Sequence, residues 1–401
     1  MGRHCSWNSD SRVRSAKLPY SGVARWLAIL SLIAIATGVA VNFRYPYLMD
    51  FLSYWGAAVL AISGRPGDAY DMAIHHAVQQ RAFTFDTRMP FAYPPPYLLV
   101  VFPFGLLPYW AAASVWIGAT LTFYVAVVRR WMPDFIAQAI AFPPIAVCGI
   151  VGQNGLLTAA LFIGGMSALA KQPFLAGAIL GLLAIKPQLG FLLPLAFVAG
   201  REWRAFAGAT ASVATLILLS LLAFGLSPWQ GFYNMAPLVG SITTEGLVGW
   251  NKMASVYSSL RLAGVAEPIA AALHAICAAA ATAFVWRMWG RTKETMARAA
   301  ILAPASVLVS PYLFVYDQVV LVVSFYWLVR NGANPGLLVA LFLLPLTTLA
   351  QFWVPDPLIN LAPVLPIVLT LLVWHHSKSN SAISGNTNSR LACTEKSLSR
   401  E

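Results

Sequence analysis

Charge is what this chain has least of. Only 10% of its 401 residues are Asp, Glu, Lys or Arg, against about 25% in soluble domains. Many stretches of 17 or more residues carry no charge at all, which excludes an ordinary soluble domain and points to a polytopic helical membrane protein. The ten-residue alternation of an outer-membrane barrel is also missing. Cysteine is scarce: Cys5, Cys148, Cys277 and Cys393 are widely scattered, with no metal-ligand or redox spacing. Neither His75-His76 nor His375-His376 has the i, i+4 spacing that puts two imidazoles on one helix face. There is no Gly-rich phosphate loop and no dinucleotide fingerprint. No Asp-x-Asp pair is present to hold a nucleotide-sugar through a divalent metal. No metal site, no cofactor and no nucleotide-activated substrate are therefore expected.

What is present is apolar spans with polar punctuation. The spans read as Ala24–Val41, Tyr109–Val128, Phe135–Val151, Gly155–Ala170, a broken pair over Phe174–Ala199, Ala205–Phe224, Pro268–Trp289, Ala297–Val309, Tyr316–Val329, Gly336–Trp353 and Leu358–Trp374. The first is too long for a signal-peptide core and lacks a cleavage site. Residues 1–23 read as a basic cytoplasmic tail, 24–375 as the transmembrane domain, and 376–401 as a polar, disordered tail.

Asp50 opens the longest segment between spans, a loop over about 42–95 that holds four of the fourteen acidic residues. Phe51–Ile62 and Ala69–Phe83 have the pattern of interfacial helices, separated by Ser63-Gly64-Arg65-Pro66-Gly67. Beyond Tyr93-Pro94-Pro95-Pro96, the apolar run Tyr97–Leu107 makes only about 17 Å of helix. It dips into the membrane without crossing.

The distribution of basic residues fixes the topology of the broken pair. If Phe174–Ala199 crossed once, Arg201 and Arg204 and every later basic cluster would fall on the opposite side. If it goes in and returns, 19 of the 26 Lys and Arg lie on one side, and the other keeps 7 of them with 8 of the 14 acids. This skew, and not nucleic-acid binding, accounts for the net charge of +12. The re-entrant reading puts both termini in the cytoplasm and Lys186-Pro187-Gln188 at the apex of two half-helices. The apex opens toward the outer loops: 42–95, Gly152-Gln153-Asn154, 226–267, Pro311–Asp317 and Val354–Pro357.

The polar groups on that side are the candidate site. Asp50 is a helix N-cap or a base that takes a proton from an acceptor hydroxyl. Lys186, inside an apolar run, snorkels to the interface or meets an anion, for which a lipid phosphate is the natural partner. Arg44, Arg65, Arg81, Arg88, Lys252 and Arg261 are further outer cations, and Arg44 joins Lys186 as a candidate phosphate ligand. Tyr54, Trp55, Tyr93, Gln153, Asn154, Gln188, Asn251 and Asp317 are candidates to line a substrate cavity. Aromatics gathered on one side form an interfacial belt or stack on sugar rings. Asp317, at a helix start, is a cap or a supporting partner. Broken helices around a lysine also occur in transporters, so a transporter or flippase of a lipid-linked sugar is the rival reading. The absence of two matching halves argues against it.

In order along the chain, these motifs resemble glycosyltransferase family 87: Asp50 with Tyr54-Trp55, Gly64 and Tyr70-Asp71; PFAYPPPYLLVVFPFGLLP from Pro90 to Pro108; Gly152-Gln153-Asn154; AGAILGLLAIKPQLGFLLPLAF; and Tyr316-Asp317. The resemblance covers roughly residues 45–330. It implies a GT-C-like multi-helix bundle with re-entrant half-helices. It also implies inverting transfer of a hexose, mannose in known members, from a polyprenyl-phosphate donor to a lipid or glycan acceptor on the periplasmic face of the inner membrane. Asp50 falls at the position of the catalytic aspartate and Lys186 at that of the re-entrant lysine. Where an Asn-Gln-Ser-like stretch is expected, the chain has Trp250-Asn251-Lys252-Met253-Ala254-Ser255.

Overall fold

A computed structural model describes residues 21–44, 50–83, 88–351 and 359–378. Tyr45, Tyr47, Asp86, the loop Val354–Pro357 and most of both tails lie outside the described residues. Among the described residues the chain is helical, with one isolated antiparallel bridge and no strand. It is an all-α polytopic membrane protein. Among the described residues, four helices are long and apolar enough to cross a membrane, or five if one bent pair counts as a span.

Helix α1 (Ser21–Arg44) presents Trp26, Leu30 and Ile33 outward, as a lipid-facing surface requires. The Asp50 loop follows as α2 (Phe51–Ile62), a 3-10 turn at Pro66–Tyr70, and α3 (Met72–Gln79). Helix α2 ends at Gly64, whose φ of +74° suits a residue without a Cβ. The expected single helix over Ala69–Phe83 is split because Asp71 caps α3, accepting from the amides of Ala73 and Ile74. The short dip expected after the prolines is α4 (Pro96–Val101) and a 3-10 turn at Phe102–Leu106. Then α5 (Tyr109–Trp131) spans.

The expected straight span Phe135–Val151 is bent. It forms α6 (Ile136–Ala141) and α7 (Pro143–Val151), and the two limbs meet at 63°. The cause is Pro143-Pro144: a proline disfavours helical backbone in the residue before it, and Phe142 is extended, at φ −63° and ψ 119°. Both limbs lie against α1, where Gly149 meets Ile35 and Gly38 meets Ile150. After a three-residue turn comes α8 (Gly155–Ala168).

The broken pair is re-entrant. Helix α9 (Pro173–Gly181) and a 3-10 turn run to Lys186, where the residue before Pro187 again leaves the helical region. Two short helices, α10 (Pro187–Gly190) and α11 (Leu193–Gly200), lead back, and α12 (Trp203–Phe224) then spans. The register of α9 against α12 gives the direction. A Cβ on Gly177 would strike the backbone of Ala205, and one on Gly181, a turn further along, that of Ala209. Residue numbers rise together along both helices, so the two are parallel and start at the same end of the bundle. The intervening chain has therefore returned to the end it left.

The second long loop holds α13 (Ser227–Thr244) and α14 (Val256–Leu262) before the span α15 (Glu267–Trp289). Helix α16 (Thr295–Val309) is buried from Ala297 to Leu308 and forms the centre of the bundle. A 3-10 segment at Val315–Leu321 and α17 (Val322–Arg330) replace the expected single helix there. Helices α18 (Pro335–Leu343), α19 (Pro345–Gln351) and α20 (Val364–Lys378) complete the fold. Pro345 divides the span expected over Gly336–Trp353.

The ends of α16 mark the ends of the molecule. At its start, Arg298 pairs with Glu202 at 2.6 Å and lies over the Trp289 ring, while Lys293 donates to the Gly200 carbonyl. Glu294 accepts from Trp327, and Asp134 accepts from Arg330 and Tyr326. Beyond its other end lie Tyr312 to Tyr316 and the outer-loop residues. Re-entry predicts that Lys171→Cys and Arg204→Cys, in a background without the native cysteines, are labelled by a membrane-impermeant maleimide from one side of sealed vesicles, and Lys252→Cys from the other. Labelling of the first two from opposite sides would overturn the re-entrant topology.

Candidate active site

A cavity of about 600 Å³ opens at the far end of α16. Asp50, Ser53 and Tyr54 form one wall, a helical i, i+3, i+4 face. Trp55, expected in the cavity, is rotated out of it. One helical step of about 100° turns it away, its indole donates to the Leu107 carbonyl at 3.0 Å, and its ring packs edge-on against Tyr109. Tyr93 and Arg88 come from the end of the first loop, Gln153 from the α7–α8 turn, and Lys186 and Gln188 from the re-entrant apex. Lys252 and Gly249 come from the second loop, and Tyr312, Phe314 and Tyr316 from the segment after α16.

Asp50 occupies the N-cap position of α2, yet its side chain makes no capping bond. It accepts instead from the Gln153 amide, Nε2 to Oδ2, at 2.8 Å. Burial raises its carboxyl above the ordinary carboxylate range, opposed by the Gln153 bond and by the charges of Lys252 and Lys186. The Gln153 amide oxygen in turn accepts from Tyr54 at 2.5 Å, from Tyr93 at 3.0 Å and from the Asn154 backbone at 3.2 Å. His75, packed beneath α2, bonds the Ser53 carbonyl, and burial lowers its imidazole to about 4. It is a neutral structural group.

Lys186 does not stand alone. Its ammonium is 2.5 Å from Asp317 and 3.1 Å from Asn154 Oδ1, and lies 5.1 Å from the centre of the Tyr316 ring. Its charge is thus already matched inside the protein, which a reading of the apex alone does not reveal. Asp317 and Asn154 are fully buried behind it and do not reach the cavity. Asp317 also caps its own turn by accepting from the Phe314 amide at 3.1 Å. Gln188 lines the cavity, and its buried amide oxygen is without a hydrogen-bond partner. Asn251 sits in the 3-10 turn Trp250–Lys252 with its carboxamide against Gly249, between two lining residues but not itself one. The Arg44 side chain lies outside the described residues.

The aromatic wall is what reading the sequence missed. Tyr312, Phe314 and Tyr316 all line the cavity, Phe314 from extended backbone and Tyr316 from the first turn of the 3-10 segment Val315–Leu321. Phe314 and Tyr316 stack at 5.3 Å. The i, i+2, i+4 spacing of the three rings was the available signal. This segment is held by the Met253–Phe314 bridge and by the Ala254 amide on the Leu313 carbonyl, while Asn360 donates to the carbonyls of Trp250 and Met253. Among the described residues, no three His, Cys, Asp or Glu side chains are grouped to hold a metal ion.

The bundle thus holds one cavity lined by a carboxylate, several cations and an aromatic wall. Residues 91–311, more than half of the chain, match glycosyltransferase family 87, and the chain belongs to that family. It is a membrane glycosyltransferase. The matched region contains Tyr93, Gln153, Lys186 and Lys252, while Asp50 and Asp317 lie outside it. Comparison with curated proteins and with solved structures finds no match.

Breaking the buried pair on one side leaves an uncompensated charge. Lys186→Met or Asp317→Asn alone is expected to cost about 3–5 kcal/mol of stability, and the double variant less than the sum. Thermal unfolding of the purified protein in detergent checks this. Equal and additive small losses would mean that the two groups are not coupled.

Proposed function

We propose that this enzyme transfers a hexose, with mannose the first candidate, from a polyprenyl-phosphate donor to a lipid or glycan acceptor at the outer face of a bacterial inner membrane. Asp50 is the general base. The acceptor hydroxyl gives its proton to the Asp50 carboxylate as its oxygen bonds to the anomeric carbon. The bond from that carbon to the phosphate oxygen breaks, and the electron pair leaves with the polyprenyl phosphate. The observation that carries this reading is the placement of Asp50: at a helix start but not capping it, and facing a cavity large enough for sugar units.

The cations of the cavity support the phosphate assignment. Lys252 and Arg88 line it along with Lys186, which contributes to an anion while remaining on Asp317. Val147, Val151, Ile242, Leu247 and Val248 supply the apolar part of the lining, suited to a donor carried on a lipid. Tyr312, Phe314 and Tyr316 offer ring faces to a sugar, and the Gln188 amide oxygen offers an acceptor to a sugar hydroxyl. The excess of Lys and Arg away from the cavity end supports an outward-facing site with both termini in the cytoplasm.

The test is transfer of labelled mannose from polyprenyl-phosphate-mannose by purified protein in lipid, with EDTA present. Asp50→Asn is expected to lower the rate by about 10²–10⁴-fold. Near-normal transfer by this variant would sink the base assignment. A protonated carboxyl cannot accept the acceptor proton, so the rate falls as pH drops. Because burial raises the Asp50 carboxyl, the acid limb of the pH–rate profile lies above the ordinary value of about 4.

A further inference from the structure

We infer that Gln153 is a positioning residue for Asp50: its side-chain amide is locked in one orientation, so that an N–H, and never the carbonyl oxygen, is presented to the carboxylate. This rests on the reading of Asp50 as the base, and deepens it.

The lock is built from fixed parts. An amide has an acceptor end and a donor end, and donors converge on one end of Gln153. The Asn154 backbone N–H can only donate, and it lies 3.2 Å from Oε1. Tyr54 and Tyr93 also reach Oε1 and touch each other at 2.8 Å. Whichever tyrosine donates to the other, the remaining hydroxyl proton goes to Gln153. With its oxygen held this way, the NH₂ group must face Asp50 Oδ2 at 2.8 Å. A flipped amide would put oxygen against the carboxylate and nitrogen against the Asn154 N–H, losing both of those bonds, although the tyrosine hydroxyls can also accept.

The turn that carries Gln153 is equally constrained. Gly152 takes φ +68° to end α7, its carbonyl accepts from the Trp116 indole at 2.9 Å, and the Gln153 amide donates to the Cys148 carbonyl at 3.0 Å. Gly155 lies so close to the Tyr316 carbonyl that no side chain fits there. Gln153 therefore has little freedom in backbone or side chain.

The consequence is chemical. A hydrogen bond to the ionised form favours that form, and burial disfavours it. The Gln153 bond opposes the effect of burial on the carboxyl and fixes which way the carboxylate faces. The other charged or titratable groups around Asp50 are Lys252, Lys186 and Asp317, with Tyr109, Tyr312 and Tyr316 facing it from neighbouring segments. Gln153 supplies what these do not, a directed N–H on one oxygen.

Two substitutions isolate that N–H. Gln153→Glu keeps an acceptor for Tyr54, Tyr93 and Asn154 but puts oxygen against Asp50. Gln153→Met is neutral, of similar length, and has no donor. In the transfer assay across pH 4–9, both are expected to move the acid limb upward by about one pH unit or more, Gln153→Glu further than Gln153→Met. Below the limb kcat falls at least about tenfold with little change in the donor KM, and for Gln153→Met the rate recovers above it. Size-exclusion chromatography and a thermal melt establish that each variant is folded. Folded variants whose acid limb stays within about 0.3 pH units of wild type would overturn the positioning role while leaving the base assignment intact. Wild-type activity in Asp50→Asn, run in parallel, would instead overturn the base and with it this role.

Discussion

The buried contact between Lys186 and Asp317 is the constraint on which the cavity depends. Both side chains are almost wholly removed from solvent, 6% and 0% exposed, and an unmatched charge in such a place is costly. Matching it draws together three segments remote in sequence: the re-entrant apex at Lys186, the α7–α8 turn through Asn154, and the turn at Val315–Leu321 that Asp317 also caps. Once these are fixed, Gln153 and the rings of Phe314 and Tyr316 have their places. The non-helical backbone at these turns is buried in protein and borders the cavity.

Five of the described acids differ from Asp50 in what bonds them. Glu202 pairs with Arg298, Asp134 with Arg330, Asp68 with Arg65 and Asp317 with Lys186, while Asp71 caps a helix. Each is bonded by a cationic side chain or by backbone N–H groups. Asp50 is bonded by a neutral amide in a buried setting, which leaves it an appetite for a proton.

Much of this was legible in the chain. Apolar runs and basic clusters located the helices, and the parity of those clusters required the return at Lys186 that the parallel packing of α9 on α12 displays. Phe51–Ile62 matched to the residue because its boundaries are chemical, with Asp50 before it and Ser63-Gly64 after it. Other features were hidden for physical reasons. Hydropathy runs straight through Phe142 although the following prolines bend the backbone there. The partner of Lys186 lies 131 residues away, beyond any local pattern, so a lysine already matched in charge looked like one awaiting an anion. Trp55 was grouped with Tyr54 because they are adjacent, though adjacent helical residues face different ways. The amide of Gln153 looked like generic cavity lining because the side chains it bonds, Asp50, Tyr54 and Tyr93, come from other segments.

The hairpin formed by α9 to α11 has a consequence for how such a fold can change. A stretch that enters the bilayer and comes back to its own side adds no crossing, so its gain or loss inverts nothing downstream. The α9–α11 unit can therefore lengthen, shorten or be exchanged among relatives while α12 and everything after it keep their compartments. The glycine-to-backbone contacts that seat α9 on α12 limit such drift at the base of the hairpin. The buried Lys186–Asp317 pair does the same at its tip, so both ends of the hairpin are pinned.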